Sequence, residues 1–307
     1  MMIKFQYVLF VLLYFFSHSS CSPTKVDSSH SVKLWIDLFN GEDLSNWTIK
    51  IAGHDLNENY KNTFDVEDQM IRVKYDEYDE FDEAFGHMYY NRPFSHYRLE
   101  FDYRFVGEQT KGGAAWNVRN SGVMLHSQSA ESNDYNQGFP VSIEMQLLGG
   151  LGIDKGTRTT GNVCTPGTAV MMGDTINYTH CINSTSQTYH GDQWVHAEAI
   201  VHGGDEMIFL IEGDTVLQFQ QPQVGGGFIS QLVEGQDWDQ FGISESKNKW
   251  INREGQVLNE GYISIQAESH PIDFKNIRLL NLCGCMDPSA KNYKNYFIKS
   301  DSSKCIY

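Results

Sequence analysis

Arg119-Asn-Ser-Gly-Val-Met-Leu-His-Ser-Gln128 and Val141-Ser-Ile-Glu-Met-Gln-Leu-Leu148 are two extended segments that flank a polar loop, and their reading decides the fold. Both read as strands, from Ser121 to Gln128 and from Val141 to Leu148. In the second, side chains alternate faces with a period of two, so Val141, Ile143, Met145 and Leu147 point one way and Ser142, Glu144 and Gln146 the other. The first set is core and the second is polar. Pairing of the two strands would bring His126 alongside Glu144 and Gln146. On a concave, enclosed face that grouping is a site; on a convex face it is a solvated sheet surface, the ordinary fate of an alternating strand.

The rest of the chain repeats the strand pattern. His96 to Phe105 alternates Tyr97, Leu99, Phe101, Tyr103 and Phe105 with a charged face. Trp194–His202 and Glu206–Glu212 flank Gly203-Gly204-Asp205, a hairpin signal, and Phe64 to Val73 reads as a hairpin with Glu67-Asp-Gln at its tip. Leu34 to Phe39, Thr48 to Ile51, Val216 to Phe219, Gly261 to Glu268 and Ile272 to Leu280 are further strands. In 307 residues, 13% aromatics and 27 glycines with few helix-period segments give the profile of a β-sandwich or barrel. Two loops stand out. The acidic run Asp76 to Glu83 lacks the glycine-centred spacing of a calcium loop and reads as solvated. Residues 222–255 form a long insertion, a lid or a poorly ordered loop.

Charge and cysteines bound the setting. With 39 Asp and Glu against 23 Lys and Arg, a net of −16, nucleic acid is excluded as a partner class. Met1 to Lys4 followed by the apolar run Phe5–Phe16 is too short to span a membrane and reads as a signal peptide over residues 1–21. Small residues precede Cys21, the pattern of a lipid-modified cysteine, and residues 22–33 form a polar tether. The expected location is therefore exported, periplasmic or anchored to the outer membrane by lipid at Cys21. In that oxidising compartment Cys164 and Cys181, which bound one loop, are expected to pair, whereas the pairing of Cys283, Cys285 and Cys305 stays open. A zinc site is the rival reading, but no Cys-x-x-Cys pair is present.

Five ordered blocks resemble one family. Leu38-Phe-Asn-Gly-Glu-Asp-Leu-Ser-Asn-Trp47, Asn120-Ser-Gly122, Ile143-Glu-Met-Gln-Leu147, Tyr189-His-Gly-Asp-Gln-Trp194 and Gly261-Tyr-Ile-Ser-Ile-Gln-Ala-Glu-Ser-His-Pro271 with Phe274-Lys-Asn-Ile277 are similar to the 3-keto-disaccharide hydrolase family, across residues 34–282. The resemblance implies an all-β, concanavalin A-like jelly roll of two antiparallel sheets and action on sugars oxidised at C3. This chain departs in having His126 where many relatives carry Arg, and in the length of residues 222–255. Residues 283–307 resemble a small cysteine-bounded module appended to exported bacterial proteins, too short to bury a core without a disulfide.

A ketone at C3 acidifies the C2 hydrogen, so a base at C2 allows the glycosidic oxygen to leave from C1 by elimination, with hydration completing hydrolysis. The route needs a base, a donor or metal at the C3 oxygen, and an acid at the leaving oxygen. His126, Glu144 and His270 are the proton-transfer candidates. Arg119, Asn120, Gln146, Gln266 and Glu268 are the substrate-binding candidates, and Gln266 and Glu268 share a strand face with Tyr262 and Ser264. Each has a plainer role available: Glu144 as an acceptor for a neighbouring Arg or Tyr, His270 as a turn histidine before Pro271, His87 and His190 as packing residues. A divalent metal held by His and carboxylate has no fixed spacing to signal it. The carbohydrate partner also fits a second class of protein, a lectin-like module whose concave face holds sugar without cleaving it.

Overall fold

The structure, a computed structural model, describes residues 32–226 and 242–307. The expected signal peptide, Cys21 and most of the tether lie outside them, as does the centre of the 222–255 insertion. Among the described residues no helix is long and apolar enough to cross a membrane.

The chain runs through β1 (Trp35–Asp37), β2 (Trp47–Ile51), β3 (Phe64–Glu67), β4 (Met70–Val73), β5 (Gly86–Tyr90), β6 (His96–Phe105), β7 (Asn120–Ser127) and β8 (Ile143–Leu148). It continues through β9 (Asn162–Cys164), β10 (Thr168–Met172), β11 (Thr175–Asn177), β12 (Cys181–Ile182), β13 (Val195–His202), β14 (Glu206–Ile211) and β15 (Asp214–Val224). A short helix α1 (Lys247–Ile251) precedes β16 (Tyr262–Ala267), β17 (Ile272–Asn281), β18 (Cys283–Gly284) and β19 (Lys299–Ser300). A 10-stranded sheet has the order β11-β10-β15-β14-β13-β6-β17-β4-β3 with β1 on β17, and a 7-stranded sheet the order β12-β9-β8-β7-β16-β5-β2. Pairing within both is antiparallel. This is the expected all-β sandwich of the jelly-roll type.

The alternating pattern explains why the sheets stack. Tyr97, Leu99, Phe101, Tyr103 and Phe105 of β6 meet Ile143, Met145 and Leu147 of β8 and Ile263, Ile265 and Ala267 of β16 in one core. Burying each such large side chain contributes about 1.5–3 kcal/mol. The outer face of the 10-stranded sheet is a ladder of charge that satisfies itself: Glu198 pairs with Arg98, Glu100 with Arg98 and Arg278, and Asp273 with Arg104. Among the described residues the outer face of the 7-stranded sheet has no comparable ladder.

Two strands are shorter than their sequence suggests. The first spans only Trp35–Asp37, and β8 begins at Ile143 because Val141 turns into a second cluster with Val224, Ile243, Trp250 and Leu258. That cluster docks the described end of the insertion, whose Ser244 and Ser246 backbone N–H groups both donate to the carboxylate of Asp134 at 2.9 and 3.0 Å. Gly242 permits the approach, since a Cβ there would overlap the Asn136 carbonyl.

Cys164 and Cys181 sit directly opposite each other on β9 and β12 and form a disulfide, as expected. Cys285 bonds Cys305, which holds the C-terminal residues together, and Cys283 is a free thiol. Replacing Cys164 and Cys181 together with Ser should lower unfolding free energy by roughly 3 kcal/mol on the chain-entropy account. Urea denaturation measures this, and an unchanged midpoint would contradict it.

Candidate functional site

Register decides which side chains meet on the outer face of the 7-stranded sheet. Glu144 of β8 lies opposite Met124 of β7 and Cys164 of β9, and Gln146 lies opposite Gly122 and Asn162. Ser264 of β16 is opposite Met124, so by period two Gln266 and Glu268 belong to the same face. Gly122 has a specific purpose here. A Cβ on it would stand 2.9 Å from the Glu144 carboxyl carbon, so the glycine lets that carboxyl lie across the backbone of β7.

Loops roof this face and leave a cavity of about 890 Å³, within the range of small-molecule sites. Its polar floor is Glu144, Gln146, Glu268, Asn117, Asn120 and Arg158; its wall is Phe81, Phe85, Trp116, Phe139, Leu148 and Leu151. His180 and the Cys164–Cys181 disulfide close one side. The acidic run is therefore more than a solvated loop, because Tyr78 and Phe81 are buried and Phe81 and Glu83 line the cavity.

Four of the expected residues, Glu144, Gln146, Asn120 and Glu268, meet in the cavity. Gln266 shares their face but is fully buried beneath the lining, with both amide atoms unpartnered. Its β5 neighbour His87 packs against Phe139 and is pushed down to about 3 by burial. His190 packs against Gly150, as its sequence setting suggests.

Three expected residues stand elsewhere. His126 does not join Glu144: an extra residue in β7 opposite β16 and a φ of 48° turn its ring inward. There its Nε2 lies 3.0 Å from the Gly203 carbonyl, its ring packs edge-on against Tyr97, and desolvation pushes it down to about 4. Arg119, at φ 49°, turns away from the cavity to bond the Gly191 carbonyl and pair with Asp192 at 3.1 Å. His270 follows Ser269, whose φ of 77° redirects the chain, and packs edge-on against Phe105 outside the lining. Burial and the neighbouring Arg119 push it down to about 4, so it is neutral near pH 7.

The structure adds residues that the alternating pattern missed. Arg158 enters from the loop after β8, and its Nη1 donates to the carbonyls of Val118 and Gly149 at 2.6 and 2.8 Å. Asn117 is buried in the lining with both amide atoms unpartnered. Both lie in loops, where no periodicity marks a face.

Glu144 and Glu268 govern the electrostatics. Burial alone raises the Glu144 carboxyl well above its ordinary range. Glu268 is raised well above its own by burial and then by the charge of Glu144, with only the charge of Arg158 opposing. Both desolvated carboxyls favour their protonated forms, Glu144 pushed up to about 8, and their repulsion disfavours ionising the two together. Among the described residues no group of three or more His, Cys, Asp or Glu converges to hold a metal ion.

A folded-state pKa raised above the unfolded value costs stability. Above the unfolded carboxylate range the unfolded chain has released its proton while the folded chain keeps it, so stability falls as pH rises toward the folded value. Glu144→Gln removes this cost. It should therefore be more stable than the parent by about 1–3 kcal/mol near pH 8 and indistinguishable near pH 4. Thermal melts at both pH values measure it, and equal melting temperatures at pH 8 would contradict the assignment.

A family model described as a 3-keto-alpha-glucoside-1,2-lyase-like domain matches residues 34–280. No curated protein matches the chain by sequence. Among solved structures it is similar to a protein assigned as a glycosyl hydrolase from Parabacteroides distasonis ATCC 8503, at 17% identity over 81% of this chain and 94% of that one, TM-score 0.47. A galectin-like protein of unknown function from Bacillus subtilis is similar at 11% identity over 81% and 94%, TM-score 0.44. The exoplasmic/lumenal domain of VIP36, bound to Ca2+ and Man3GlcNAc, is similar at 10% identity over 82% and 92%, TM-score 0.41.

Proposed function

Because the chain belongs, over residues 34–280, to the 3-keto-alpha-glucoside-1,2-lyase-like family, we propose that it cleaves the glycosidic bond of 3-keto-glycosides by elimination and hydration. The observation that carries this reading is the pair of buried carboxyls lining one cavity, Glu144 and Glu268, each raised above its ordinary range. In the proposed cycle the singly ionised pair supplies a base and an acid at once. Glu144, as the carboxylate, takes the C2 proton. Electrons from that C–H bond form the enolate, with its oxygen at C3.

The enolate then collapses. A C1–C2 double bond forms, the C1–oxygen bond breaks, and Glu268 gives its proton to the departing oxygen. Water adds across the new double bond, hydroxyl to C1 and hydrogen to C2, which releases the 3-keto sugar. Arg158 and the amides of Asn117 and Asn120, all on the floor, stabilise the C3 oxyanion in a desolvated setting where such donors act strongly. Gln146, held by Asn162 at 3.0 Å, orients the sugar, and His126 and His270, outside the cavity, carry no step. The two disulfides support an exported setting, and the proposed anchor is lipid at Cys21.

Ordinary hydrolysis also uses two carboxyls, but it leaves the C2 hydrogen in place and does not require the ketone. Deuterium at C2 of a 3-keto-glucoside should therefore slow its cleavage, and Glu144→Ala should lower kcat by about 100-fold or more. Equal cleavage of the unoxidised glucoside with no isotope effect would establish ordinary hydrolysis instead. Binding without cleavage of either compound would establish a lectin.

Activity should fall in acid as Glu144 takes up a proton, and fall again at alkaline pH as Glu268 loses its own. Glu268→Gln should abolish the alkaline limb, and an unchanged pH profile would remove Glu268 from the acid role. Turnover should survive EDTA. Loss on chelation, restored by one added divalent ion, would assign the C3 oxyanion to a metal.

A further inference from the structure

The cavity is two-sided, and the proposed chemistry uses only its floor. The part of its lining that loops carry includes the aromatic residues Phe81, Phe85, Trp116 and Phe139. Phe85 lies at its centre, 4.8 Å from Phe139, 5.0 Å from Phe81 and 6.1 Å from Trp116, ring centre to ring centre. Phe85 and Trp116 are nearly parallel, at 11°. Trp116 is nevertheless 55% exposed, and Leu151, also in the lining, is 46% exposed. An exposed Trp backed by a stacked ring presents a firm, flat apolar surface at the site.

Wall and floor are also fixed to each other. The Trp116 backbone carbonyl accepts from Nδ2 of Asn120 at 3.3 Å and from Nη2 of Arg158 at 3.4 Å, both of them floor residues. The loop that leads into Trp116 is tied to the residue after Glu268, because Nε2 of Gln109 donates to the Ala114 carbonyl at 2.8 Å and to Oγ of Ser269 at 2.9 Å. A ligand anchored with its sugar ring over Glu144 and Glu268 thus has its C1 substituent against a surface whose position the floor itself sets.

From this we infer the class of leaving group: the wall takes a planar, aromatic aglycone in preference to a second sugar. A pyranose can stack a C–H face there, but its edge hydroxyls still need partners, and the side chains of Phe85, Phe139 and Trp116 offer at most an indole N–H. An aromatic ring loses nothing on the same surface and gains by stacking. The inference rests on the reading of the floor as the site of the oxidised sugar.

The experiment measures binding, so it is independent of the elimination chemistry. Calorimetry compares an unoxidised naphthyl α-glucoside with maltose, neither of which carries the ketone, in the parent, Trp116→Ala and Trp116→Phe proteins. The naphthyl glucoside should bind the parent at least tenfold more tightly than maltose. Trp116→Ala should weaken it about tenfold, Trp116→Phe should restore most of the loss, and maltose should change less than twofold throughout. Equal affinity for the two compounds, or equal weakening of both by Trp116→Ala, would overturn the inference while leaving the elimination reading to its isotope test. Because the Trp116 ring is largely exposed, an unchanged melting temperature verifies that each variant is folded.

Discussion

The structure turns on two carboxyl groups, Glu144 and Glu268, held out of water on one face of a sheet with no cation among the described residues bonded to either. Burying an unpaired carboxyl costs free energy, and the chain shows elsewhere how it avoids that cost. On the outer face of the 10-stranded sheet Glu100, Glu198 and Asp273 are just as buried, but each sits against an arginine on its own or an adjacent strand. The same alternation of residues thus produces a satisfied ladder on one sheet and a desolvated pair on the other. The second arrangement leaves two desolvated carboxyls raised above their ordinary range, the kind of group that proton-transfer chemistry uses.

Desolvation of the pair comes from the loops. Gln128 accepts the Val141 N–H at 2.8 Å and the Gln137 amide at 3.0 Å, which shapes the segment that carries Phe139 over the sheet. Asp134 then receives two N–H groups from the segment after residue 241, so the described part of the long insertion braces the roof rather than entering the cavity. Glycine is required at two close approaches. Gly122 admits the Glu144 carboxyl from below, and Gly242 admits the Asn136 backbone from above.

How much of this was legible follows from what each residue's local pattern encodes. Period-two alternation placed Glu144, Gln146, Gln266 and Glu268 on one face correctly, because strand geometry fixes side-chain direction without knowledge of the partner strand. It failed for His126 and Arg119, where a positive φ reverses the side chain. Non-glycine residues adopt that conformation rarely, and nothing in Leu125-His126-Ser127 announces it. Arg158, Asn117 and Trp116 were invisible for a different reason. They reach the cavity from loops, whose direction is set by tertiary hydrogen bonds such as those to the Trp116 carbonyl. The Cys164–Cys181 bond was legible from compartment and spacing, although the register that places the two opposite each other was not.

The constraint also explains why the site tolerates a destabilising arrangement. Low dielectric raises both carboxyls and disfavours the state in which both are charged. The same low dielectric strengthens what Arg158 and the floor amides do for a developing oxyanion, so a single physical cause prepares base, acid and electrophile together. A cation beside Glu144 would relieve the folding cost, yet it would hold the carboxylate ionised and weaken it as a base for a carbon acid. Stability lost at these two residues is therefore inseparable from their chemistry, and the large, well-packed core between the sheets is what lets the fold sustain it.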